Sequence, residues 1–119
     1  MQYLFQSNVF IKTASWIWLL TIAYLSLSPQ PNLPINFNHS DKLLHLAAYG
    51  LATLLILKSY PLTNKLYLIT LLSIYSLSIE IAQLFVENRF FEIMDIIANI
   101  IGIFLGALFY KKYLNNAGS

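Results

Sequence analysis

Apolar residues come in four long runs, Val9 to Leu27, about Lys42 to Leu57, Leu66 to Val86 and Ile93 to Tyr110, separated by short polar connections. Each run approaches the roughly 20 residues that an α-helix needs to cross a bilayer. The first carries one charge, Lys12, near its start, where a lysine can reach the headgroups while Trp16 and Trp18 sit towards that interface. After it, Pro29, Pro31 and Pro34 deny the backbone helical donors and predict a loop. Ser40 is placed to cap a second helix that begins near Asp41, with the carboxylate favoured in the first turn. Lys58, Pro61 and Lys65 mark a compact turn, Glu87 to Glu92 a second one, and the tail after Lys112 is read as frayed.

These elements predict an all-α fold: an integral membrane four-helix bundle of two antiparallel hairpins, forming one domain over residues 1–119. Ser26-Leu27-Ser28 is a poor signal-peptidase site because Pro29 follows, so the first run is expected to remain as a span. Lys12, Lys58, Lys65, Lys111 and Lys112 fall on one side, against Lys42 and Arg89 on the other. The positive-inside rule then puts both termini in the cytoplasm and the Pro29–Asp41 and Glu87–Glu92 connections outside.

Composition sharpens this reading. The 119 residues are 58% hydrophobic and 10% charged, whereas soluble domains carry about 25% charge and a chain this small has little interior for so much apolar surface. The net charge of +2 comes from scattered lysines, which gives no footprint for nucleic acid. Cysteine is absent, which excludes disulfides, thiolate metal sites and a cysteine nucleophile.

Against this background the polar residues inside the runs stand out, because ionisable groups in lipid are costly unless paired, hydrated or used. Asp41, His45 and Tyr49 recur every four residues on the second helix, Glu80 and Gln83 share a face of the third, and Asp95 and Asn99 share a face of the fourth. All lie towards the same end of the bundle, so Glu80 and Asp95 are expected to turn inward to Arg89, Lys42, His45 or water. Carboxylate, imidazole and guanidinium are groups that bind phosphate and move protons. The same residues also suit a structural clamp, in which Arg89 holds Asp95 and Glu80 and fixes the helices without chemistry. No metal-binding spacing such as HExxH is present, nor a GxSxG elbow, and neither metal nor cofactor is expected. Gly102 and Gly106 form GxxxG, which permits close approach of a helix from the same bundle or from another chain.

Taken in order, Tyr24-Leu25-Ser26-Leu27-Ser28-Pro29 with Pro34, Asp41-Lys42-Leu43-Leu44-His45 with Tyr49, Glu80-Ile81-Ala82-Gln83, Arg89, and Asp95-Ile96-Ile97-Ala98-Asn99 before Gly102 and Gly106 resemble the VanZ-like membrane proteins. The resemblance implies a multi-pass bacterial plasma-membrane protein from a family named for low-level teicoplanin resistance. Its motif positions carry over as Asp41, Lys42, His45, Glu80, Gln83, Arg89, Asp95 and Asn99. Glu87-Asn88 departs from the proline or glycine that relatives often place before the arginine.

Three functions follow as expectations. The first is a membrane module that binds a lipid headgroup, a lipid-linked envelope precursor or a lipophilic glycopeptide through Asp41, Lys42, His45, Tyr49, Glu80, Gln83, Arg89, Asp95 and Asn99. The second is an enzyme acting on a lipid-linked phosphate or ester, with His45, Glu80, Arg89 and Asp95 as candidates: His45 or Glu80 as base, Arg89 as anion stabiliser. The third is an assembly partner that docks through Gly102, Gly106 and aromatic side chains.

Overall fold

In a computed structural model the described residues are 2–28, 38–86 and 92–114, with only the backbone described for residues 2–8 and 38–41. They form four long helices: α1 (Gln2–Leu27), α2 (Asn38–Ser59), α3 (Lys65–Ala82) and α4 (Ile93–Phe109). A 3₁₀ turn, Gln83–Phe85, extends α3, and a π turn, Tyr110–Leu114, ends α4. Four segments are long and apolar enough to cross a membrane: Val9–Leu27, Lys42–Ser59, Lys65–Phe85 and Ile93–Leu114. The proline loop, the Glu87–Phe91 connection with Arg89, the Asp41 side chain and the tail after Leu114 lie outside the described residues.

Two helix starts differ from expectation. No proline or glycine precedes Pro29, so α1 begins at Gln2 rather than near Val9. The backbone of α2 is already helical at Asn38, three residues before Asp41, so Ser40 lies inside the first turn and not ahead of it. Between α2 and α3 the chain reverses in a turn with Pro61 at its second position, closed by the Thr63 amide donating to the Tyr60 carbonyl at 3.1 Å. Asn64 then caps α3, its Oδ1 accepting from the Leu66 and Tyr67 amides at 2.8 and 3.4 Å.

The most extensive seam joins α2 and α4, which are not neighbours in sequence. Lys42 meets Asp95, His45 meets Asn99, Leu46 faces Gly102 and Gly50 faces Gly106, so the two helices run in the same direction. Glycine makes this possible. A Cβ on Gly106 would lie 2.6 Å from the Gly50 carbonyl oxygen, and one on Gly102 would strike the Leu46 carbonyl, 3.0 Å from its carbon. The Gly102–Gly106 face is thus filled by α2 of the same chain.

Polar contacts attach α1 to this pair. At one end Ser15 and Ser59, both buried, share a 2.7 Å hydrogen bond, and Trp16 Nε1 donates to the Tyr60 hydroxyl at 3.1 Å beneath the Lys12 ammonium. Trp18 turns inward instead of joining Trp16 at that end; its indole nitrogen donates to the Ala48 carbonyl at 2.9 Å. The Tyr75 hydroxyl donates to the Leu19 carbonyl, and Gln83 Nε2 to the Ser26 carbonyl at 2.8 Å, tying α3 to α1. Leu19, Ile22, Tyr49, Ala52, Ile56, Leu72 and Ile103 fill the interior. The apolar faces of α4 around Phe104, Leu105 and Leu108 point outward, as a lipid solvent requires.

Candidate functional site

Three polar stripes converge at the end of the bundle where α2 and α4 begin and α3 finishes. Each stripe follows helical spacing: Lys42, His45 and Tyr49 on α2; Ser76, Glu80 and Gln83 on α3 and its terminal turn; Glu92, Asp95 and Asn99 at the start of α4. Because α2 and α4 run in step, their stripes pair level by level down the bundle.

At the uppermost level the Lys42 ammonium bridges two carboxylates, Asp95 Oδ1 at 2.5 Å and Glu92 Oε2 at 2.7 Å. Asp95 is almost wholly buried, whereas Glu92 is half exposed. Lys42 is thus one of the partners that the sequence offered to Asp95. One level down, His45 Nδ1 and Asn99 Oδ1 are 3.0 Å apart, and Asn99 Nδ2 donates to Ser76 Oγ at 2.9 Å. An amide oxygen only accepts, so this hydrogen bond puts the proton on Nδ1. His45 Nε2 then faces Asp95 Oδ2 at 3.8 Å, too far for a direct hydrogen bond and suited to a bridging atom.

Glu80 occupies the interior of the cluster with no exposed surface, within electrostatic reach of Asp95 and His45. Its carboxyl lies near the Glu92 amide at the start of α4 without making a hydrogen bond to it, and neither oxygen has a partner. The Tyr49 hydroxyl, facing Ser76 and buried, is also without one. Unpaired buried polar atoms are uncommon enough to require a cause.

A groove of about 460 Å³ runs between α1 and α2 beside this cluster. Its walls are apolar, from Trp18, Ile22, Leu25, Leu44 and Leu51, while His45, Tyr49 and Gln83 give it a polar edge. Among the described residues no three His, Cys, Asp or Glu side chains are grouped to hold a metal ion.

Of the residues singled out in the sequence, Lys42, His45, Tyr49, Glu80, Gln83, Asp95 and Asn99 come to this one end. Arg89 and the Asp41 side chain are outside the described residues. Glu92 and Ser76 were missed. The available signal was spacing: Glu92 lies three residues before Asp95, and Ser76 four before Glu80.

The sequence model of the VanZ/LLP1 family matches residues 2–115, nearly the whole chain. No curated protein and no solved structure matches it.

Proposed function

This chain belongs to the VanZ/LLP1 family as a membrane protein, and on that premise we propose that it binds the head of an amphiphile at the Lys42–Glu80–Asp95 cluster without transforming it. One observation carries the proposal: the apolar groove between α1 and α2 shares His45, Tyr49 and Gln83 with the polar end of the bundle. A hydrocarbon chain and a polar head thus find matching surfaces side by side. We place the protein in a bacterial plasma membrane with both termini cytoplasmic, because the lysine-rich end carries Lys58, Lys65, Lys111 and Lys112. The cluster then faces the outer leaflet, where a lipid headgroup, a lipid-linked envelope precursor or a lipophilic glycopeptide would meet it. The α1–α2 and α3–α4 pairs act as two antiparallel hairpins, with the α2–α4 seam holding them together.

Native mass spectrometry of protein extracted in mild detergent tests this reading. The proposal expects a retained amphiphile that Ala48→Phe, which fills the groove, and His45→Ala both release while abundance and helicity are kept. Equal retention by both variants, or an amphiphile-free wild type after reconstitution with native lipid, sinks it. A catalytic reading has one geometric feature in its favour, the His45 imidazole set between Asp95 and Asn99. It requires a product, and unchanged lipid extracts from deletion and overexpression strains would dispose of it.

A further inference from the structure

The chemistry of the cluster is unbalanced between donors and acceptors. Lys42 donates to Asp95 and Glu92, Gln83 Nε2 to the Ser26 carbonyl, Asn99 Nδ2 to Ser76, and Trp18 Nε1 to the Ala48 carbonyl. These donors are committed within the bundle. The capacity left over leans towards accepting: both Glu80 oxygens are buried and unpartnered, and the Tyr49 hydroxyl, also unpartnered, can accept as well as donate. Charge leans the same way. Among the described residues this end holds three carboxyl groups, Glu80, Glu92 and Asp95, against the Lys42 ammonium and the His45 ring. In sequence the adjoining segments add Asp41, Glu87 and Arg89, two acids and one base, so the acidic excess is not cancelled. An anionic head would find one unpartnered donor among the described residues, the Tyr49 hydroxyl, and meet repulsion from the acidic excess, whereas a protonated amine supplies both hydrogens for the Glu80 oxygens and the missing charge.

We propose that the groove and the Glu80 carboxyl form one site for a single-chain amphiphile with a protonated amine: its chain lies in the α1–α2 groove and its ammonium reaches Glu80 past Tyr49 and Gln83. This assignment rests on the head-binding function above and adds the sign and donor character of the head. Tyr49 and Gln83 bound the groove on the side where Glu80 lies, Gln83 being three residues further along the same face. Release of the Gln83 amide from Ser26 opens the way. Both Glu80 oxygens then gain hydrogen bonds from the amine.

The test uses the full chain with Trp16→Phe, in phosphatidylcholine nanodiscs, so that fluorescence reports Trp18 in the groove. The probes are dodecylamine, dodecanol and dodecyl sulfate, each carrying bromine at the chain end to quench the indole. Saturable quenching by the amine at a concentration about tenfold lower than for the alcohol is expected, since a charge-assisted pair is worth at least that factor. Glu80→Gln should erase the difference, and Tyr49→Phe should narrow it. If Glu80→Gln does not reach the membrane, the amine-to-alcohol ratio and its response to Tyr49→Phe decide. Amine and alcohol quenching alike, with the sulfate preferred and sensitive to Lys42→Met, overturns the ammonium assignment and leaves the head-binding function standing. Equal quenching by all three probes, or none, removes both.

Discussion

Replacing Gly102 with alanine tests the α2–α4 seam most directly. The added Cβ would strike the Leu46 carbonyl oxygen and lie 3.0 Å from both the carbonyl carbon and Cα of that residue. All are backbone atoms, so no side chain can rotate away and the helices must separate. Overpacking of this kind costs about 3 kcal/mol at the upper end of its usual range, against about 1 kcal/mol recovered from alanine's better helix propensity. The net loss of about 2 kcal/mol corresponds to roughly a thirtyfold fall in the folding equilibrium. Separation also stretches the 3.0 Å His45–Asn99 contact one turn above. Gly106→Ala, with its Cβ 2.6 Å from the Gly50 oxygen and 2.9 Å from Thr53 Cβ, should cost less. Gly50→Ala, 3.3 Å from the Gly102 oxygen, should be close to neutral. Reversible unfolding in mixed micelles, followed by circular dichroism, measures all three. A Gly102→Ala protein as stable as wild type, or an inverted order of the three, would refute the reasoning.

Other perturbations probe the polar end and the topology. A double-mutant cycle of Lys42→Met with Asp95→Asn should give a coupling of about 2 kcal/mol in the same unfolding assay, because Asp95 is buried. The cycle with Glu92→Gln should give less than about 1 kcal/mol, because Glu92 is half exposed. Asn99→Leu takes the amide partner from the buried Ser76 hydroxyl and removes one hydrogen bond at His45 Nδ1, and should cost about 1–3 kcal/mol; adding Ser76→Ala should recover part of it. The chain has no cysteine, so single cysteines report sidedness. A cysteine at Ser59 would be silent for the wrong reason, since that side chain is buried against Ser15, whereas Leu62 is fully exposed in the turn. With an impermeant reagent, Asn32→Cys should label in intact cells and Leu62→Cys only after permeabilisation; the reverse pattern would invert the topology.

The four helices were legible because length and apolar content suffice to define a span, and the polar stripes because four-residue spacing survives in any straight helix. The partner of each helix was not. GxxxG on α4 announces close approach, but its complement is Gly50, a lone glycine that carries no motif. Connection length ranks sequence neighbours as partners, whereas the closest packing is between α2 and α4, separated by all of α3. The same distance explains why Lys42, 53 residues before Asp95, was one of several cations offered to that carboxylate. Burial of Glu80 followed from the cost of charge in lipid, but its want of a partner depends on side-chain placement that no spacing rule reaches.

The parallel seam also sets an order of events during synthesis. Helix α2 is the least hydrophobic of the four candidate spans, with mean hydropathy 1.2, while α4, its closest neighbour, has the highest at 2.0 and is the last of the four to leave the ribosome. Until then an ammonium, an imidazole and a phenol on α2 have only α1 and α3 for company, so a product truncated at Phe91 should be degraded, and its accumulation to the level of the whole chain would contradict this. Maturation of this bundle is therefore a late commitment, made when the fourth helix arrives to claim the polar face that the second one has been carrying.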